Sequence, residues 1–374
     1  MRGRGQKLMK NLAIIGASYL QLPLIEKAKE MGYTTHVFAW AANDVGELAA
    51  DHFYPVSIVE KDEILEKCRE IGIDGICSIA SDLAAVTVNY VASAMGLPGN
   101  SMESTRRSTN KHLMRETFRE HGDPSPQSTE VDAGTDLARL DLRYPVIVKP
   151  TDRSGSRGIF KLEGPEGLAG AVQAALGESF EKKALIEEFA EGEEFSVEGI
   201  SFHGEHHILA LTRKFTTGAP HFVETGHREP AGLDPETEEN IRAVVTHALD
   251  SLGITDSASQ SEIKIDGRGN IRIIEIGGRM GGDCIGSHLV KYSTGIDYVR
   301  AVIRVACGEE PDLRPAGEPM AAEVRFIFTE KDVEQRELDR KAGRILEEIA
   351  FFPENLGKTT DSSNRAGCYI IRGV

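Results

Sequence analysis

An α/β domain with a parallel sheet, followed by a larger α+β domain, is the fold class that this 374-residue sequence predicts. Two observations predict it. Over residues 12–99, short apolar runs alternate with amphipathic stretches, the pattern of strands joined by crossover helices. From residue 144 onward the texture changes to strands joined by tight turns, with helices inserted among them.

The elements follow in order. Residues 12–15 form an apolar strand ended by Gly16. Pro23 suits a helix first turn, and Leu24, Ile25, Ala28 and Met31 recur at helical spacing before Gly32. A strand over 36–39, a helix over 62–71 stopped by Gly72, a strand over 75–79 and a helix over 82–95 closed by Gly96 complete the alternation. Residues 99–109 read as a polar connector. Thr109 then caps a helix with Leu113, Met114 and Phe118 on one face, ended by Gly122, Pro124 and Pro126. Strands are predicted over 144–150, 184–189, 194–201 and 208–214, a helix over 235–252, and a hairpin pairing 261–265 with 271–276 across Asp266-Gly267-Arg268-Gly269-Asn270. A helix over 297–307 and a strand over 321–328 follow.

Composition excludes several functions. Acidic residues number 59 and basic ones 43, for a formal charge of −16, a field that repels phosphate backbones and argues against broad nucleic-acid binding. No run of about 18 apolar residues offers a membrane-spanning helix. Residues 1–8 are a basic leader with no apolar stretch, unlike a secretory signal. The five cysteines are scattered, with no C-x-x-C pair, which fits a reducing, cytoplasmic setting. The turn Gly16-Ala17-Ser18-Tyr19-Leu20-Gln21 carries one glycine where a dinucleotide fingerprint needs three, so nicotinamide chemistry is not expected. Cys284 has no activating His/Asp arrangement and reads as structural.

Three features carry chemistry. Lys149 ends an apolar strand and is followed by Asp152-Arg153-Ser154-Gly155-Ser156-Arg157-Gly158, a loop of small residues whose amides and hydroxyls can converge on an anion. The segment Ile186-Glu187-Glu188-Phe189-Ala190, then Gly192-Glu193-Glu194, leaves a strand edge whose backbone can pair with a base and whose carboxylates can accept from sugar hydroxyls. In the hairpin, Glu262 and Glu275 fall approximately opposite each other on one face, with Ile263, Ile265, Ile274 and Ile276 assigned to the buried face. Two facing carboxylates repel unless a cation joins them, and oxygen-only ligation suits Mg²⁺. Arg279 follows within a glycine-rich run and can fork onto phosphate or carboxylate oxygens. Each feature alone also fits an ordinary turn or salt bridge.

Taken together, Asn110-Lys111, Val148-Lys149-Pro150 with its loop, Ile186-Glu187-Glu188-Phe189, Gly192-Glu193-Glu194-Phe195, and Glu262 with Glu275-x-x-x-Arg279 resemble the ATP-grasp superfamily. Phe222-Val223-Glu224-Thr225-Gly226-His227, Gly278-Arg279-Met280-Gly281-Gly282-Asp283 and Ser363-Asn364-Arg365-Ala366-Gly367 look like its carboxylate-amine ligase branch, which includes L-amino-acid ligases. The resemblance implies a Rossmann-like pre-ATP-grasp domain over 9–108, and an ATP-grasp fold over 109–374 with a lid at about 150–215 and a C-terminal extension. It implies Lys111 and Lys149 on ATP phosphates, with Ser154, Gly155, Ser156 and Gly158 closing over them. Adenine would fall to Glu187 and the backbone near Phe189, and ribose to Glu194, with Glu188 also among the cofactor-binding residues. Glu262 and Glu275 would ligate Mg²⁺, and Lys149 and Arg279 would be catalytic, Arg279 on an acyl-phosphate. Glu224, His227, Arg279, Gly281, Gly282 and Asp283 would line the substrate pocket. The expected activity joins a small-molecule carboxylate to an amine, in a monomer or a homodimer. The alternative is an ATP-binding scaffold or sensor that no longer ligates. Gly277 motivates it, because the family usually carries Asn two residues after the second metal glutamate. Gln260-Ser261-Glu262 also departs from the family's His-Thr-Glu.

Overall fold

The computed structural model describes residues 10–153, 157–218, 223–359 and 362–373, with backbone alone at Ser363. Its first sheet is parallel, ordered β3-β2-β1-β4 from β1 (Asn11–Ile15), β2 (Thr34–Phe38), β3 (His52–Tyr54) and β4 (Gly75–Cys77). Helices α1 (Leu22–Glu30), α2 (Val45–Ala49), α3 (Lys61–Ile71) and α4 (Asp82–Met95) make its connections. The alternation is as expected, with β3 and α2 added in a stretch too short and polar to announce them.

The connector expected at 99–109 is instead helix α5 (Met102–Thr109), capped by Ser101, whose side chain accepts from the Ser104 amide. Its buried positions are Ser104, Thr105 and Ser108, so no apolar periodicity marks it. The next helix, α6 (Lys111–His121), is capped by Asn110, which accepts from the amides of His112 and Leu113. Thr109 is not the cap. Its hydroxyl donates to the Thr105 carbonyl inside α5.

A second sheet, antiparallel and ordered β5-β8-β6-β7, takes β5 (Ser128–Val131), β6 (Val146–Pro150), β7 (Phe160–Leu162) and β8 (Ala184–Glu188), and α7 (Leu168–Glu178) covers it. The third sheet has eight antiparallel strands ordered β13-β12-β9-β10-β11-β14-β16-β15. They are β9 (Glu193–Phe202), β10 (Glu205–Thr216), β11 (Glu224–Glu229), β12 (Ser257–Ile265), β13 (Ile271–Gly277), β14 (Ala322–Ile327), β15 (Ile345–Phe351) and β16 (Gly367–Arg372). The lid expected at about 150–215 is therefore divided. Residues 128–188 form the separate small sheet, whereas β9 and β10 belong to the large one, where β9 pairs with β12 from Ser257 to Ile265.

Helix α8 (Pro235–Leu252) shows how sequence sets the packing. Asp234 caps it through the Thr237 amide, Pro235 fits the first turn, and Gly253 closes it at φ +71°. Its Ile241, Val245, Ala248, Leu249 and Leu252 fall on one stripe and bury against Phe195, Val197, Leu211, Ile263, Ile273 and Ile276 of the large sheet. Each of the Ile, Val and Leu side chains contributes about 1.5–3 kcal/mol by burial. The remaining helices are α9 (Val290–Thr294), α10 (Tyr298–Ala306) and α11 (Glu330–Lys341). Tyr298, Val302 and Ile303 of α10 share one core with Leu12 and Ile14 of the parallel sheet, Leu24 and Ile25 of α1, and Ile200 and Ala258 of the large sheet. That shared core fixes the turn before α4 against the end of β13.

Candidate functional site

The site lies on one face of the large sheet, opposite the small one. Glu262 on β12 and Glu275 on β13 are register partners. The ladder then slips, Glu262 facing Glu275 and Ile263 facing Ile273, so Ile274 is the extra residue of a bulge. The bulge reverses side-chain parity. Ile263, Ile273 and Ile276 are fully buried in the core, whereas Ile274, expected there, lines the cleft beside Glu275.

Two facing carboxylates are neutralised here by lysines. Lys111 Nζ lies 2.7 Å from Glu275 Oε1 and 2.9 Å from the Arg153 carbonyl. Lys214 Nζ lies 2.7 Å from both Glu262 and Glu194, with Glu224 at 3.8 Å. Burial alone would lower the pKa of each lysine. The surrounding carboxylates outweigh it, so both ammoniums are held above their ordinary range, Lys214 far above. Glu262 is pushed up by burial, with Glu194 and Glu275 adding to the effect. Sequence reasoning missed Lys214, which looks like one charged residue in a strand of mixed character.

Lys149 is buried and bonds to Glu187, whose other oxygen receives Arg115 Nε at 3.1 Å. Burial lowers the Lys149 pKa, and Glu187 offsets only part of that. Glu187, assigned to adenine, is thus committed to two cations. Strand β8 is also not an edge, since it lies between β5 and β6. The Glu188 amide donates to Gln127 O and the Phe189 amide to Pro145 O, while Glu188 Oε2 accepts from the Gln127 amide. The amides of Glu188 and Phe189 are thus both committed to protein acceptors. A cleft of about 750 Å³ opens there, with Ile147, Ile159, Phe189 and Ile274 as apolar walls and Lys149, Glu194 and Lys214 toward its polar side. A second cavity of about 930 Å³ continues past Lys111 and Glu275 to Arg106, Arg153 and Arg157. Ser154, Gly155, Ser156 and Phe222 lie outside the described residues. Gly158 sits at φ +65° beside Pro150 and Glu178.

Lys149→Ala is expected to weaken ATP binding about ten- to a hundredfold in calorimetric titration, charge-assisted hydrogen bonds being worth about 1.5–3 kcal/mol. It is also expected to lower the melting temperature, because buried Glu187 would retain Arg115 alone. An unchanged affinity would remove Lys149 from the nucleotide site.

Arg279 follows β13 and is forked onto Asp82, with Nε at 2.8 Å and Nη2 at 3.1 Å from its two oxygens. Its remaining nitrogen donates to Gln260. Gly281 lies over buried Glu198. Its amide donates to Glu198 Oε2 at 3.0 Å, and a Cβ there would stand 2.2 Å from Glu198 Oε1. Gly282 packs against Ala80. Asp283 and Cys284 adopt left-handed φ values of +53° and +64°, strained for side chains of this size. Asp283 Oδ1 receives Arg365 Nη1 at 2.8 Å, and Asp283 Oδ2 lies 3.5 Å from His227 Nε2. Arg365 Nη2 reaches Glu224 at 2.6 Å, and the guanidinium stacks 3.8 Å over Phe326. The structure thus brings Glu224, His227 and Asp283 together and adds Arg365. Burial keeps the His227 pKa low, and its Nδ1 has no protein partner among the described residues.

Fully buried Glu229 accepts from Thr212 and Ser293 hydroxyls, and burial pushes its carboxyl up to about 7. The folded state therefore holds this proton more tightly than the unfolded chain, whose carboxyl titrates near 4.5. Stability conferred at low pH is lost as pH rises through about 7. Glu229→Gln is expected to stabilise the protein increasingly from pH 5 to pH 8, by about 3 kcal/mol at the upper end, at ~1.4 kcal/mol per pH unit. Denaturant melts of both proteins at pH 5 and pH 8 measure this, and a difference independent of pH would refute it.

The donor set fits Mg²⁺ held jointly with a ligand. Among the described residues no three His, Cys, Asp or Glu side chains gather to hold an ion by themselves. Two facing carboxylates with phosphate oxygens and water would complete the coordination. Among the described residues no helix is long and apolar enough to cross a membrane.

Residues 142–287 match the family model described as the ATP-grasp domain. Carnosine synthase 1 of Mus musculus is 26% identical over 351 residues, covering 84% of this chain and 42% of that protein. Alanine–anticapsin ligase of Bacillus subtilis is 26% identical over 300 residues, covering 71% of this chain and 63% of that protein. The chain thus spans less than two thirds of the length of these curated relatives. The crystal structure of L-amino acid ligase from Bacillus licheniformis superimposes with a TM-score of 0.80 at 25% identity, covering 97% of this chain and 93% of that one.

Proposed function

Because the chain belongs to the ATP-grasp superfamily, we propose that it is an ATP-dependent ligase joining a carboxylate to an amine through an acyl-phosphate, with ADP and phosphate released. The observation that carries this reading is the pairing of Glu262 with Glu275 across β12 and β13, ringed by Lys111, Lys149, Lys214 and Arg279.

In this reading the base enters between Ile147, Phe189 and Ile274, with Glu194 toward the ribose. The triphosphate extends toward Lys149, Lys214 and Lys111. Glu262 and Glu275 hold Mg²⁺, which supplies charge neutralisation on the phosphate oxygens when bound. As the nucleotide arrives, Lys111 and Lys214 exchange carboxylate partners for phosphate oxygens, so the charge balance of the cleft is kept. The substrate carboxylate attacks the γ-phosphorus and ADP is the leaving group. The amine then attacks the acyl carbon and phosphate leaves, taking the C–O bonding pair. Arg279 faces the charge developing on the acyl-phosphate. Glu224, Asp283 and Arg365 offer both signs of charge to the polar ends of the two substrates, with buried His227 packed behind Asp283. The work of the protein is positioning and electrostatics, with no covalent protein intermediate.

An ADP-release screen of carboxylates and amines with Mg-ATP tests the reading. ADP formation that requires Mg²⁺, a carboxylate and an amine supports it. Nucleotide binding without any substrate-dependent ADP release would favour the scaffold reading. That reading draws on the missing side chain at Gly277 and on the lysines already pairing with both glutamates.

A further inference from the structure

The turn before α4 grips the segment that carries Arg279. The Ala80 amide donates to the Met280 carbonyl at 3.1 Å. Two residues on, Asp82 takes Arg279 in a two-bond fork. Gln260 and the Met280 carbonyl hold the third nitrogen, so the guanidinium plane is fixed from both sides. Asp82 is itself fixed. It is the first residue of α4, behind the Ser81 cap, where the helix dipole favours a carboxylate. Both side chains are largely buried, at 15% and 16% exposure, so the pair is shielded from solvent and from competing ions.

Gly277 belongs to the same arrangement. A Cβ at 277 would stand 3.0 Å from Asp82 Oδ1 and 3.3 Å from Arg279 Cζ. The fork therefore lies against residue 277, and a Cβ there would press on it by a few tenths of an ångström. The absent side chain and the Asp82 carboxylate are two halves of one arrangement, separated by almost 200 residues of sequence.

We propose that Asp82 is the positioning residue of Arg279, so that the N-terminal parallel-sheet domain completes the reaction centre of the large sheet. The proposal rests on the reading of Arg279 as the group that meets the acyl-phosphate. Asp82 lines the cavity beside Lys111, but in this reading both its oxygens are engaged by Arg279 and it makes no bond to the nucleotide. Its loss should leave ATP binding alone and misdirect the guanidinium, and misplacement on the ångström scale costs up to about a hundredfold in rate.

The test has a kinetic arm and a chemical arm. In Asp82→Asn, kcat for substrate-dependent ADP release is expected to fall at least about tenfold, with KM for ATP within about twofold. Asp82→Ala and Gly277→Ala should each lower kcat, and the double variant should be no worse than the worse single one, because both disturb the same fork. The chemical arm uses phenylglyoxal on the full chain without nucleotide, with Arg279 modification read by mass spectrometry. Arg279 should be protected in the parent protein and modified several-fold faster in Asp82→Ala. Unchanged kcat in Asp82→Asn, additive effects in the double variant, or equal modification of Arg279 would each overturn the proposal. A parent protein that turns over no carboxylate–amine pair would overturn the ligase reading instead, and the modification arm would still decide whether Asp82 holds Arg279.

Discussion

Replacing Arg279 with methionine is expected to lower substrate-dependent ADP release by about a hundred- to a thousandfold, the usual loss when a preorganised donor to a developing anion is removed. ATP affinity should change by no more than a few fold. Arg279 is anchored to Asp82 and Gln260, away from the apolar walls of the nucleoside cleft. Methionine keeps much of the volume, so the loss would be electrostatic rather than a packing defect. It would leave the Asp82 carboxylate buried with one fewer partner, so a lower melting temperature is expected too. Arg279→Lys should recover little, because an ammonium cannot reproduce the planar fork that binds both Asp82 oxygens. Single-turnover measurements with saturating Mg-ATP separate the chemical step from binding. A variant that forms ADP at the parental rate would remove Arg279 from the reaction and take the Asp82 proposal with it.

What was legible in the sequence was whatever local periodicity encodes. Helices α4 and α8 have stripes, caps and glycine stops, and both have the predicted bounds. The hairpin was legible because two apolar runs flank a turn, and counting inward places Glu262 opposite Glu275 as the register does. Counting cannot see a bulge, however, and the bulge turns Ile274 from core to cleft. Small polar faces hid α5. The lid expected at about 150–215 runs β7 and β8 of the small sheet together with β9 and β10 of the large one, because nothing in these segments as sequences shows which partners they pair with. The most consequential omissions are side chains whose roles are set by distant contacts. Asp82 reads as a helix-start residue, Lys214 as a strand residue, and Arg365 as part of a C-terminal motif. Each acquires its meaning from carboxylates or guanidiniums brought in from elsewhere in the chain. The same holds for Glu187, whose assignment to adenine came from resemblance, and which Arg115 and Lys149 claim in the folded protein.

Glu275→Gln is expected to abolish Mg²⁺-dependent turnover while preserving metal-free ATP binding. The substitution removes one charge from the Glu262–Glu275 pair and keeps size and hydrogen-bonding capacity, so the hairpin register should survive. It also deprives Lys111 of its anionic partner. That ammonium, buried and still charged, becomes freer to meet phosphate, so metal-free ATP should bind as well as in the parent or somewhat more tightly. The metal should behave oppositely. Among the described residues no third side chain joins Glu262 and Glu275 in a set able to hold an ion, so loss of one of the two leaves Glu262, which Lys214 already engages. Turnover should fall by about a thousandfold or more, several kcal/mol of transition-state charge stabilisation being at stake. The direct readout is ATP affinity titrated with and without Mg²⁺. The tightening that Mg²⁺ gives the parent protein should vanish in Glu275→Gln, while the two metal-free affinities stay close. If instead Glu275→Gln turns over normally with Mg-ATP, the two glutamates are a structural pair held by lysines, and the ligase reading loses the observation that carries it.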